Sequence, residues 1–202
     1  MICEQELELS HPLLLYCKSL YDKMPCILNN KNNIYHIIHP SKIVDYQNHK
    51  YITDDIINEY VTIVKSILIR NNFKCDISDN EYIIEMHNGS TNENNIISPF
   101  GIHQDDYGGI DCRVNTFIIY FDVKCDGGEI AFYEEDNYNI KPYSLEGVYA
   151  SKRCYKIINT NNPNNQICKI LMFEGELYHR VLKFSNGHRN LLSFQVKKVI
   201  LL

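Results

Sequence analysis

The sequence predicts a mainly β domain, a sandwich or barrel, with helical structure at its N-terminal end. Two observations carry this. From residue 75 onward the apolar residues come in short runs rich in Ile, Val, Phe and Tyr, broken by Asn, Asp, Gly and Pro, which is the pattern of strands and turns. Before that point, Ile56, Tyr60, Ile63, Val64 and Ile67 recur at helical spacing. The chain has 202 residues, enough for one domain that buries roughly 70% of its unfolded surface. No internal repeat is visible, which excludes a solenoid or propeller. We therefore expect residues 1–75 to form an N-terminal helical region of the same domain, and residues 76–202 to form the β core.

Taken in order, Glu4 to Lys23 is a helical candidate that stops before Pro25, and Tyr35 to His39, ahead of Pro40, reads as a short strand. Thr53 to Asn71 is an amphipathic helix, with Thr53 or Asp54 as its cap and Asp54 and Asp55 complementing the helix dipole. The β-type runs follow at 81–87, 115–123, 129–134, 155–159, 167–173, 178–184 and 189–199. Two connections, Asn88 to Pro99 and Asp136 to Gln166, are long and polar. Loops of that length are functional or disordered. The second of them, together with Asp106 to Cys112, is expected to be mobile and to help select substrate.

Composition removes several classes. With 45% hydrophobic and 22% charged residues, nine Gly and six Pro, the chain is neither collagen-like, disordered nor a coiled coil. Its apolar runs are far shorter than the roughly 20 residues that span a bilayer, so no membrane partner is expected. Met1 to Glu6 is acidic where a secretory signal needs basic charge, and an intracellular, cytoplasmic location is the expectation. The cysteines at 3, 17, 26, 75, 112, 125, 154 and 168 contain no Cys-x-x-Cys pair and read as reduced thiols rather than a zinc site or a disulfide framework. A net charge of −5 without a basic cluster argues against a nucleic-acid partner. Asn88-Gly89-Ser90 reads as a turn, and no sequence feature bears on oligomeric state.

Among the eight histidines only His103 has a carboxylate two positions on, in His103-Gln104-Asp105. On a strand, positions i and i+2 face the same way, so this imidazole and carboxylate can chelate one metal together. A second cluster lies at Tyr178 to Phe194, which reads as a hairpin. A two-residue Asn186-Gly187 turn would set His179 opposite Phe194. A three-residue Ser185-Asn186-Gly187 loop, with Gly in the left-handed position, sets His179 opposite Ser193, Val181 opposite Leu191 and Lys183 opposite Arg189. The second register gathers Leu182, Phe184, Leu192 and Phe194 on the reverse face for a helix to cover, and it is the expected one. His179, Arg189 and Ser193 then share a cavity, and the rival ligand His188 faces away.

Two His and one Asp make a facial triad that leaves three metal positions open, the arrangement of non-haem Fe(II) and O₂ chemistry. A buried Arg needs an anion, and a dicarboxylate that chelates the metal at one end meets both demands.

Over roughly residues 80 to 198 the sequence resembles the Fe(II)/2-oxoglutarate-dependent dioxygenases, particularly their prolyl-hydroxylase-like branch. His103-Gln104-Asp105 is similar to the family's His-x-Asp, Arg113 to Asp122 to its next strand, and Gly127-Gly128-Glu129 to the turn that follows. Leu171-Met172-Phe173 leads into His179 as the distal ligand is approached there, with Arg189 ten residues beyond it.

The resemblance implies a double-stranded β-helix, jelly-roll or cupin-like, with N-terminal helices packed on one sheet. It implies His103, Asp105 and His179 as Fe(II) ligands and Arg189 as the partner of the 2-oxoglutarate distal carboxylate. It places Tyr120 and Ser193 in the same co-substrate pocket, and no catalytic group beyond the metal ligands. The family's co-substrate tyrosine before the metal motif is replaced here by His87 or Met86. The implied cofactors are Fe(II), with 2-oxoglutarate and O₂ as co-substrates and room for ascorbate as a reductant. The implied reaction is hydroxylation of a C–H bond, of a prolyl residue in a protein or peptide, with release of succinate and CO₂. Because Asp105 keeps the carboxylate, a halogenating variant is not implied. The alternatives are an AlkB-like demethylase of nucleic acid, whose second arginine is Gln195 here, and a cupin-like metal-binding protein without oxygenase activity.

Overall fold

Most of the β-type runs become strands of two antiparallel sheets. The computed structural model describes residues 1–8, 15, 33–38, 54–75, 82–91, 101–105, 114–134, 153–162 and 167–197. The strands are β1 (Ile2–Glu8), β2 (Asn33–Ile38), β3 (Tyr82–Thr91), β4 (Val114–Gly127), β5 (Ile130–Tyr133), β6 (Cys154–Ile158), β7 (Ile167–Glu174), β8 (Tyr178–Val181) and β9 (Phe184–Lys197), with one described helix, α1 (Asp54–Arg70). The six-stranded sheet runs β1-β7-β4-β9-β3-β2 and the three-stranded sheet β6-β5-β8. The expected segment 106–112 and most of 136–166 lie outside the described residues.

Alternation along β4 builds the layers. Phe117, Ile119 and Phe121 join Ile170 and Met172 of β7, Leu192, Phe194 and Val196 of β9, and Val61, Val64 and Leu68 of α1 in one core. Ile118, Tyr120 and Val123 join Leu171, Phe173 and Leu191, together with Ile130, Phe132 and Ile158 of the smaller sheet, in a second. The helix therefore covers one face of the large sheet and the small sheet covers the other. Facing parity on β4 switches from Tyr120 to Val123 because the register with β9 shifts between Tyr120 and Asp122, the signature of a bulge.

Three expectations are corrected. Residues 2–8 form a strand paired with β7, not the start of a helix. Their period is two: Glu4, Glu6 and Glu8 are exposed while Cys3, Gln5 and Leu7 are partly buried. Of the rest of that helical candidate only Leu15 is described, and it is helical; α1 is the one helix whose bounds lie among the described residues. β3 continues through Asn88 to Thr91, where a loop was expected, because β9 is long enough to pair with it as far as Gly187.

The third correction is the hairpin. β8 pairs with β5 in the small sheet, and β9 pairs with β3 and β4 in the large one. The chain crosses between sheets at Leu182–Lys183, so His179 is not in register with Ser193 or with Phe194. Ser185-Asn186-Gly187 belongs to β9 and bulges against β4, with Asn186 in the left-handed region at φ 52°. Gly187 is needed for close approach, since a Cβ there would sit 1.8 Å from the Lys124 carbonyl oxygen.

Candidate metal centre

Three segments bring His103, Asp105 and His179 together between the sheets. His103 and His179 form a β-bridge of their own, each amide donating to the other's carbonyl at 2.9 Å. Ile102 packs with Ala131 and Tyr133 on the outside of the small sheet, and the strand alternation turns the next residue, His103, inward. Two residues on, the Asp105 amide donates to the Gly175 carbonyl, and the Gly175 amide donates to the Val114 carbonyl, both at 2.8 Å. Glycine is required at 175: a Cβ would meet the Asp105 carbonyl oxygen at 2.5 Å and Val114 Cγ2 at 2.6 Å.

The donor atoms converge. Each histidine places Nδ1 against the carbonyl two residues before it, His103 on Gly101 at 2.9 Å and His179 on Leu177 at 2.8 Å. A carbonyl only accepts, so Nδ1 carries the proton in the neutral ring and Nε2 keeps its lone pair. Those Nε2 atoms lie 3.4 and 3.6 Å from Asp105 Oδ1. Metal bonds of about 2.1 Å at right angles put neighbouring donors about 3 Å apart. The three ligand atoms all lie within 4.8 Å of one another, so the set fits a divalent ion without rearrangement of the backbone. Phe173 stands edge-on to the His179 ring at 4.7 Å and Phe132 lies 5.9 Å away, giving one side of the site an apolar wall.

Burial alone would raise the Asp105 carboxyl, which is 9% exposed. When the rings are protonated at Nε2 as well, the charge on His179, the hydrogen bond and charge from His103, and the hydrogen bond from Thr116 outweigh it and hold the carboxyl down at about 2. Thr116 Oγ1 donates to Asp105 Oδ2 at 2.6 Å.

Four residues along the same face of β4, a strand distance of about 13 Å, Tyr120 is fully buried and meets Arg189, whose guanidinium carbon sits 5.3 Å from the ring centroid. Arg189 is 4% exposed. Its Nε donates to the Gly128 carbonyl at 3.3 Å, and that carbonyl also accepts from Thr160 at 2.9 Å. Gly128 has φ +79°, and a Cβ there would press on Cys125, Phe184 and Arg189 Cδ. The Gly127-Gly128 pair thus lets the main chain serve as the floor under the arginine. Among the described residues, Arg189 Nη2 and Tyr120 Oη are buried without a hydrogen-bond partner. Burial pushes the Tyr120 phenol up to about 12 against the pull of Arg189, and burial also lowers the Arg189 guanidinium from its ordinary value.

Of the sequence-predicted residues, His103, Asp105 and His179 meet, Arg189 and Tyr120 meet, and Ser193 is buried on the inward-facing side of β9 with Leu191 and Arg189. They share the space between the sheets because the sheets face each other, not because β8 and β9 pair. His188 faces away, its Nε2 2.8 Å from Asp122 Oδ1. His87 and Met86 stand opposite Leu191 and Leu192 in the β3–β9 ladder. Sequence reasoning missed Thr116, Gly175 and Thr160. Thr116 was the one within reach, since it lies on a strand four residues before Tyr120 and so shares its face.

Beyond the site, no helix among the described residues is long and apolar enough to cross a membrane. The five described cysteines, Cys3, Cys75, Cys125, Cys154 and Cys168, are free thiols, and of these Cys75 and Cys168 are buried.

No family model and no curated protein matches the chain. Solved structures do. An oxidoreductase of the 2OG-Fe(II) oxygenase family from Burkholderia pseudomallei superposes with a TM-score of 0.56 at 12% identity, over 96% of this chain and 85% of that one. IDO from Bacillus thuringiensis gives 0.55 at 14% identity, over 96% and 89%. A prolyl 4-hydroxylase from Phytophthora capsici gives 0.51 at 12% identity, over 97% of this chain and 59% of its own length. With its two antiparallel sheets and a His-x-Asp…His triad between them, the chain has the double-stranded β-helix fold of the 2OG-Fe(II) oxygenases.

Proposed function

We propose that the protein is an Fe(II)- and 2-oxoglutarate-dependent dioxygenase that hydroxylates a C–H bond, that of a prolyl residue in a protein or peptide. The observation that carries this reading is Arg189 with Tyr120: two buried polar groups with unspent hydrogen-bond donors, in the inter-sheet space that also holds the triad. A buried guanidinium without an anion is costly, and a carboxylate matches its fork.

In this reading His103 Nε2, His179 Nε2 and Asp105 Oδ1 hold the metal, and Arg189 Nη2 binds the distal carboxylate of 2-oxoglutarate. Tyr120, kept protonated at neutral pH by a pKa of about 12, donates a second hydrogen bond to that carboxylate, and Ser193 lines the pocket. Phe132 and Phe173 keep water from the His179 side. Bound Fe(II) supplies the coupling of two oxidations: 2-oxoglutarate, O₂ and a substrate C–H give succinate, CO₂ and C–OH. Ascorbate would serve as the accessory reductant. The prolyl preference is supported by the motif set from His103 to Arg189 and by the fold likeness. The acidic net charge and Gln195, where an AlkB-like enzyme carries arginine, favour a protein over a nucleic acid.

The test is succinate formation from 2-oxoglutarate with Fe(II) and proline-containing peptides, read against the mass gain of one oxygen on the peptide. Succinate and hydroxylated peptide in equal amounts are expected. Stimulation by a methylated oligonucleotide instead of a peptide would move the substrate to nucleic acid. Absence of succinate under every condition would leave a metal-binding protein of the cupin kind.

A further inference from the structure

The two oxygens of Asp105 are used differently. Oδ1 faces both histidine Nε2 atoms, at 3.4 and 3.6 Å, while Oδ2 accepts the Thr116 hydroxyl at 2.6 Å. Thr116 is 1% exposed, and its main chain is held on both sides, opposite Phe173 of β7 and Gln195 of β9. The Asp105 main chain is equally fixed through Gly175. What remains free is rotation of the carboxylate, and a β-branched side chain with a restricted χ1 on a paired strand is a stiff stop for it. We propose that Thr116 is a positioning residue that holds Asp105 as a one-oxygen ligand. A carboxylate can take a metal through one oxygen or two. A hydroxyl proton committed to Oδ2 favours the first mode, and so keeps a coordination position open that a two-oxygen grip would occupy. Nothing in the residue pattern around His103-Gln104-Asp105 announces this role, because Thr116 lies on another strand.

The proposal rests on the metal reading of the triad, and Co(II) binding tests the two separately. The probe is Co(II) titrated into the metal-free protein, followed by its visible ligand-field absorption, whose intensity and position report coordination number. Thr116→Val keeps shape and removes the hydroxyl. It should weaken Co(II) binding by about ten- to hundredfold, the usual effect of deleting a group that supports a ligand, and should change the spectrum. Thr116→Ser restores the hydroxyl and should return both affinity and spectrum to those of the unaltered protein. If Thr116→Val fails to fold, Thr116→Ala against Thr116→Ser makes the same comparison with both side chains smaller. Equal affinity and spectrum in variants with and without the hydroxyl would overturn the role of Thr116 while leaving the triad intact. Failure of the unaltered protein to bind Co(II) at all would overturn the metal reading itself, and the proposal with it.

Discussion

His103 and His179 are joined by their main chains: each amide donates to the other's carbonyl at 2.9 Å, and their rings stand 4.4 Å apart. The bridge ties the segment that carries Asp105 to β8 of the small sheet. The separation of the two imidazoles is therefore set by backbone hydrogen bonds that no side-chain substitution removes, and the ligand set is formed by folding itself.

His179→Ala should thus fold with the bridge kept and bind no stoichiometric metal. Losing the ring contacts with Phe132 and Phe173 should cost about 1 to 3 kcal/mol of stability, as is usual for deletions in a packed interior. Metal analysis after gel filtration, beside a denaturant titration, checks both halves. Full metal occupancy in a folded variant would remove His179 from the ligand set.

Much of this site was legible because its chemistry restricts residue types. A His two residues before an Asp, a distant second His and an arginine beyond it need no register to be noticed. What failed was geometry across the chain. Period two shows that 178–184 and 189–199 are extended, but not whether they pair with each other or leave for different sheets, and the crossing at Leu182–Lys183 carries no signal of its own. Glu4 to Lys23 has apolar and acidic residues at spacings that suit either period, and only the partner β7 decides for the strand at 2–8. Gly175 carries no signal in the sequence, since its requirement for glycine comes from Asp105 and Val114, which the fold brings against it from other segments.

Tyr120→Phe should act with opposite signs on stability and on binding. The phenol oxygen is buried without a partner, so its removal should leave the ligand-free melting temperature unchanged or slightly higher. In the proposed 2-oxoglutarate site the same change would delete a hydrogen bond to a charged acceptor, worth about 1.5 to 3 kcal/mol. Arg189→Ala should be worse, raising the 2-oxoglutarate requirement by about two orders of magnitude or more, roughly 1.4 kcal/mol per decade. Calorimetric titration of each variant with 2-oxoglutarate measures this.

Gly175→Ala should lower stability and metal retention together, because the new Cβ cannot avoid the Asp105 carbonyl or the Val114 side chain. Overpacking of this kind usually costs about 1 to 3 kcal/mol. Denaturant unfolding with and without Co(II) separates the two losses, and an unchanged Co(II) affinity would mean that Asp105 does not depend on this turn.

Stability should fall at alkaline pH. Burial raises the Cys75 thiol from 9.0 to about 11 and the Cys168 thiol from 9.0 to about 12. In the unfolded chain these thiols ionise near 9, while in the fold they stay protonated. Their contribution is complete below pH 9 and is lost as the pH climbs from there through the folded values, because the unfolded state then binds fewer protons. Replacing either cysteine with Ala or Val should flatten the alkaline limb of a stability-against-pH curve.

The central claim is that the triad and Arg189 together bind one metal and one 2-oxo dicarboxylate, and anaerobic spectroscopy tests it most directly. Chelation of Fe(II) by a 2-oxo acid produces a visible charge-transfer absorption that neither component has alone. Adding 2-oxoglutarate to the Fe(II)-loaded protein without O₂ should develop that absorption to a one-to-one endpoint. Under the same conditions His179→Ala should show none, and Arg189→Ala should need far more 2-oxoglutarate. Fe(II) bound at one equivalent with no such absorption at any 2-oxoglutarate concentration would contradict the account.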